Sequence, residues 1–180
     1  MKIARLLITK ACQRSCSYCC NEQEGALDTM QDITVAGLQG YDQVLITGGE
    51  PMLYPQRIKA LVKALRLQNP KVTIYLYSAY YRAAHTPQIM DMVDGIHFTL
   101  HEGTSTREIS EFIQFQTCIQ MFRLRGMHHK SYRLYIVPSV ELLIPIRPAL
   151  WSRIESFPFK EQCPLPQGEE LFLLKDDSIV

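Results

Sequence analysis

The chain has 180 residues, enough for one domain and its own core. Its apolar fraction is 47% and its net charge +1, with no long run of one sign, so nothing calls for a nucleic-acid or membrane partner. No apolar stretch approaches the length of a membrane span.

In chain order, strand and helix patterns alternate from end to end. Ile3 to Thr9 reads as a strand that delivers a cysteine loop, Cys12-Gln-Arg-Ser-Cys16-Ser-Tyr18-Cys19. Asp28 to Leu38 is predicted as a short helix, and Gln43 to Thr47 as an apolar strand running into Gly48-Gly49-Glu50-Pro51. Pro55 to Leu67 is the clearest helix, with Ile58, Leu61, Val62 and Leu65 at helical spacing and a proline suited to its first turn. Lys71 to Ser78 is a strand, Pro87 to Met92 a weak helix, and Gly95 to His101 a strand. Ser105 to Arg125 is a long helix closed by Gly126. Arg133 to Val137 is a strand stopped by Pro138, Ala149 to Phe157 a final short helix, and Glu170 to Leu174 a further strand. Residues 158–180 form the least regular segment of what reads as a single domain over 1–180. Alternating βαβα units with short connections predict an α/β fold, a partial (β/α)6 TIM-like barrel of parallel strands with an outer helix layer.

The cysteine loop offers three thiolates. A structural zinc site wants four ligands, so zinc requires help from Cys118, Cys163 or a histidine, since adjacent residues such as Cys19 and Cys20 rarely share one ion. Met1 to Ile8, broken by Arg5 and stopped by Lys10, is too short for an export signal. The cysteines are therefore expected reduced in a cytoplasmic protein, not paired in disulfides. Three thiolates can hold a cubane iron–sulfur cluster by three irons and leave the fourth open to a small molecule.

Cys-x3-Cys-x-aromatic-Cys, followed by a Gly-Gly-Glu-Pro turn, resembles the signature of the radical S-adenosylmethionine (SAM) superfamily. The resemblance implies a [4Fe-4S] cluster on Cys12, Cys16 and Cys19, with Tyr18 at the aromatic position. It implies SAM bound at the open iron and at Gly48, Gly49, Glu50 and Pro51, the glycines giving close backbone approach. It also implies reductive cleavage of SAM to a 5′-deoxyadenosyl radical that abstracts hydrogen from a substrate, the electron coming from a flavodoxin-like or ferredoxin-like donor.

Chemistry in parallel α/β barrels gathers at the carboxyl ends of the strands. Alternation puts His97, Thr99 and His101 on the inner face and Ile96, Phe98 and Leu100 on the outer. Arg133 and Tyr135 are inward by the same rule. Ser78, Thr99 and His101 are candidates to hold SAM, and Thr99, His101 and Tyr80 are candidates for catalysis; Tyr81 and Glu102 either contact substrate or pack a loop. The basic group Arg123, Arg125, His128, His129, Lys130 lies at the far end of the barrel and reads as a solvated helix end.

Three functions share these motifs: an enzyme acting on a nucleotide, nucleic acid or other metabolite; an activase that places a glycyl radical on a partner protein; and a non-catalytic iron–sulfur protein. Cys19-Cys20-Asn21 matches the Cys-x-Asn of small activases. Their Asp-x-Lys is absent after the strand that ends Thr99-Leu100-His101, which favours direct chemistry. The compact deazaguanine-forming synthases are similar in size, but their Cys-Asp-Thr continuation is replaced by Cys20-Asn21, so their substrate and magnesium are not transferred. The small number of insertions predicts an open site, suited to a large substrate, a partner protein or a dimer.

Overall fold

A computed structural model describes residues 1–16, 19, 30–156, 165–175 and 179. All its strands join one sheet. They are β1 (Ile3–Leu7), β2 (Gln31–Ile33), β3 (Gln43–Thr47), β4 (Thr73–Ser78), β5 (Gly95–Leu100), β6 (Ser131–Ile136), β7 (Arg153–Ser156) and β8 (Glu169–Leu174). The helices are α1 (Pro55–Gln68), α2 (Thr86–Met92), α3 (Thr106–Leu124) and the single turn α4 (Pro138–Glu141). The strand order is β2-β8-β1-β3-β4-β5-β6-β7, and every pairing is parallel. This is the α/β sheet of a partial TIM-like barrel, with eight strands where the sequence pattern gave six.

The two added strands replace two expected helices. In 28–38, residues 28 and 29 lie outside the described residues; Gln31–Ile33 pairs with β8, and a 3₁₀ turn follows over Ala36–Gly40. Gly37 and Gly40 are poor helix formers, so the sheet edge wins. In 149–157, Pro148–Leu150 is a 3₁₀ turn, and Ser152 N donates to Tyr132 O at 2.7 Å, which starts the β6–β7 ladder. Arg153 and Glu155 share one face of β7 and Ile154 takes the other, a period of two that outweighs local helix preference.

The outer face of the sheet is the core. Leu6, Val44, Ile46, Ile74, Leu76, Ile96, Phe98, Leu134 and Ile136 are buried there. α1 covers them with Ile58, Leu61, Val62 and Leu65, each contributing about 1.5–3 kcal/mol of burial. α3 adds Phe112 and Phe115, which pack on Phe98 at ring-centroid distances of 5.7 and 4.9 Å. Ser105 and Glu108 close a capping box at its start, and Gly126 follows its end with φ 82°. Alternation thus holds in β5: Phe98 meets the helices, while His97 lies against the rings of Tyr75, Tyr77 and Tyr135 on the inner face. At the far end the solvated reading fails for Lys130. It is buried, and its Nζ donates to Asp91 O at 2.9 Å and Val93 O at 2.6 Å, closing the carboxyl end of α2. No helix among the described residues is long and apolar enough to cross a membrane.

Candidate functional site

The cysteine loop leaves the carboxyl end of β1, and the Gly-Gly turn leaves the carboxyl end of its neighbour β3. The two are laced by backbone. Gly49 N donates to Thr9 O and Glu50 N to Ala11 O, both at 2.8 Å. This approach demands glycine. A Cβ on Gly49 would stand 2.2 Å from Ala11 O, and one on Gly48 would stand 2.5 Å from Thr9 O. The sequence reading assigned the missing side chains to SAM; in the structure the first thing a Cβ meets is the root of the cysteine loop.

Glu50 is 2% exposed and turned into the protein. Its Oε1 accepts from Met52 N at 2.8 Å and Ser78 Oγ at 2.7 Å, and its Oε2 accepts from Ala79 N at 2.8 Å. Burial pushes its carboxyl up to about 7, against the opposite pull of these donors and of Arg14. Glu50 and Ser78, two candidate SAM contacts, are thus bonded to each other and tie the turn after β3 to the end of β4. Pro51 is buried at the start of a short 3₁₀ turn over Pro51–Leu53.

In the cysteine loop, Cys12 is exposed, and Cys16 and Cys19 are half-buried; none of the three is in a disulfide among the described residues. Arg14 N donates to Cys12 Sγ at 3.4 Å, and Cys19 N donates to Cys16 O at 3.0 Å. The Arg14 side chain pairs with Glu108 of the α3 capping box. His101, just past β5, brings Nδ1 to 3.9 Å from Cys16 Sγ. Burial, and then the Arg14 cation, push His101 down to about 4, so it is neutral at neutral pH. Tyr18 and Cys20 lie outside the described residues, as does Cys163. Cys118 faces α2, with Sγ 3.4 Å from Met90 Sδ.

Among the described residues no three His, Cys, Asp or Glu side chains gather as ligands of one ion. A cubane places each thiolate on a different iron, so its cysteines need not converge on a point. The donor set of three thiols on one loop, with a backbone N–H on one sulfur and a neutral imidazole beside another, fits that group.

Below the loop, the inner wall is polar and aromatic. Thr99 is level with Tyr135 in the β5–β6 ladder, and His97 with Arg133. Thr99 is half-buried one layer above His97, between it and the mouth. Tyr80 is half-buried and packs on the core, and Tyr81 is buried against Phe115 with ring centroids 5.8 Å apart, so Tyr81 takes the packing role. The structure therefore brings Cys16 beside His101, ties the root of the cysteine loop to the Gly-Gly turn, and sets Thr99 two residues before His101 on the same strand face. Sequence reasoning missed Arg14 and Glu108 as a pair. The capping box Ser105-x-x-Glu108 is a readable local motif, but no local pattern links it to a residue 94 positions earlier.

Residues 3–111 match the family model of the 4Fe-4S single cluster domain. That is more than half of the chain, and the chain belongs to this family. The matched domain is a 4Fe-4S domain of the radical SAM type, and both the cysteine loop and the Gly-Gly-Glu-Pro turn fall inside it. Among characterised proteins it is similar to the GTP 3',8-cyclase of Synechococcus sp. (strain CC9902), with 40% identity over 75 residues. The match covers 38% of this chain and 21% of the cyclase, so this chain is aligned to about a fifth of that protein.

Proposed function

We propose that the chain holds a [4Fe-4S] cluster on Cys12, Cys16 and Cys19, binds SAM beside it, and abstracts hydrogen from a substrate seated in the barrel. The observation that carries this reading is the lacing of the cysteine loop to the Gly-Gly turn at the carboxyl ends of adjacent strands. When bound, the cluster and SAM supply reductive C–S cleavage and the radical that removes hydrogen. The chain's own residues do the positioning. Arg14 and Glu108 hold the loop against α3. Gly48 and Gly49 fix the distance between loop and turn. The carboxylate of Glu50 is committed to Met52, Ser78 and Ala79, so the turn's backbone is left to meet the amino group of SAM. Thr99 and Tyr135 line the path from this rim into the barrel.

A nucleotide is the preferred substrate class. The partial match to a GTP cyclase favours it over a glycyl radical partner, and so does the absence of Asp-x-Lys after β5. A small flavodoxin-like or ferredoxin-like donor supplies the electron. The test is anaerobic reconstitution, reduction with dithionite, and chromatography for 5′-deoxyadenosine with SAM alone and with SAM plus GTP. Slow cleavage alone and faster cleavage with nucleotide are expected. A stable glycine-type doublet in electron paramagnetic resonance, carried by another polypeptide from the same cells, would favour the activase instead. No 5′-deoxyadenosine from iron-loaded protein contradicts both.

A further inference from the structure

The barrel wall under the cysteine loop contains an unbalanced charge. On the inner faces of β1, β6, β7 and β8 the charged side chains are Arg5, Arg133, Arg153, Glu155 and Glu169, by the register of the ladders. Arg5 Nε pairs with Glu169 Oε2 at 2.7 Å, and Arg153 Nε pairs with Glu155 Oε1 at 2.7 Å. Arg133 makes no ion pair among the described residues. It is half-buried, and a guanidinium in such a place is ordinarily paired.

Its ladder neighbour is also incomplete. His97 is 3% exposed, yet neither Nδ1 nor Nε2 has a hydrogen-bond partner. A neutral imidazole carries one donor and one acceptor, and buried polar atoms are paired in the great majority of cases. Burial, with help from Arg133 and Arg5, pushes His97 down to about 3, so it stands there uncharged. Around it are the rings of Tyr77, Tyr75 and Tyr135, at centroid distances of 4.4, 5.3 and 5.9 Å. One unmatched cation, one unmatched N–H and three aromatic faces describe the complement of an acidic group carried on an organic body.

We propose that Arg133 and His97 form an anion subsite in the barrel wall, receiving a phosphate or carboxylate of the substrate while the tyrosines flank the moiety that bears it. The guanidinium fork suits two oxygens of such a group, and the imidazole N–H suits one more. The subsite lies deeper than Thr99, so an anchored substrate presents its other end to the rim. This deepens the functional reading above and rests on it for the identity of the ligand as substrate.

The test is binding, which needs no turnover. The full chain, reconstituted anaerobically, is titrated calorimetrically with inorganic pyrophosphate, tricarballylate, GTP and guanosine, and the imidazole proton resonances are followed in parallel. Saturable binding of phosphate or carboxylate probes is expected, with the stronger class naming the source. Arg133→Gln should lower that affinity about tenfold or more, Arg133→Lys should restore part of it, and guanosine should not respond to either. The His97 resonance of the unsubstituted protein should move on saturation, an observation that depends on no variant folding. The subsite is overturned if no acidic probe binds at millimolar concentration. It is equally overturned if Arg133→Gln and His97→Asn bind as the parent does, or if binding is lost in high salt with the His97 resonance never moving. Arg133-dependent binding in a protein that cleaves no SAM would retain the subsite and sink the functional reading. Cleavage of SAM with no such binding would do the reverse.

Discussion

The rim of the barrel and its wall are built on different principles. At the rim, chemistry-bearing side chains sit on irregular backbone, held by a few specific bonds: Gly49 N and Glu50 N on Thr9 O and Ala11 O, and Arg14 on Glu108. In the wall, the parallel ladder fixes which face each side chain takes, and His97 is buried among the rings of Tyr75, Tyr77 and Tyr135. The lesson is that the rim should be fragile to single changes, with cluster content and stability falling together, while the wall should tolerate polar changes that alter binding alone.

The largest effect is expected at the thiolates. Cys12→Ala, Cys16→Ala or Cys19→Ala should take iron from about four per chain to near zero, whereas Cys118→Ala, whose thiol faces Met90, should keep it. Iron and sulfide analysis of anaerobically purified protein reads this directly. Next is Gly49→Ala. Its Cβ would press on the Ala11 carbonyl, so a loss of about 1–3 kcal/mol in unfolding free energy should accompany a loss of iron. Normal iron content and a normal melting temperature in this variant would show that the two loops are not laced as described.

Glu50→Gln should cost about 1–3 kcal/mol, because an amide NH2 would face one of the donors Met52 N, Ser78 Oγ or Ala79 N. The same residue predicts a pH trend. Its folded carboxyl lies at about 7, above the unfolded value near 4.5, so between these the native state binds more protons than the unfolded one. Its contribution to stability is complete below about 4.5 and is lost as pH rises through 7. Thermal melts of the cluster-free protein should show this decline, and Glu50→Gln should flatten it.

The smallest effect separates two roles of Glu108. Ser105→Ala removes the cap of α3 at about 1 kcal/mol and should leave iron uptake unchanged. Glu108→Gln weakens both the cap and the tie to Arg14, so it should slow iron uptake as well. Equal uptake in both variants would reduce Arg14–Glu108 to a surface pair.

The same division governs what the sequence made legible. The cysteine spacing and the Gly-Gly-Glu-Pro turn are contiguous signals, and alternation alone sorted Phe98 from His97. The helix of α1 followed from Ile58, Leu61, Val62 and Leu65. The segments around Gln31–Ile33 and Arg153–Ser156 were misread as helix because their strand state comes from a partner, β8 or β6, and not from local preference. Lys130 looked like part of a solvated basic end because nothing local announces the carbonyls of Asp91 and Val93. Glu50 looked like a free carboxylate for SAM because its partners Ser78 and Ala79 lie 28 and 29 residues on.

The central claim is that three thiols on one loop, laced to the Gly-Gly turn, make a cluster site that presents SAM. Electron paramagnetic resonance of the dithionite-reduced, iron-loaded protein, before and after adding SAM, addresses it most directly. The account predicts a [4Fe-4S] signal that changes shape when SAM is added and is absent from Cys16→Ala. Tightly bound stoichiometric zinc with no iron uptake, or a cluster signal indifferent to SAM, would contradict it.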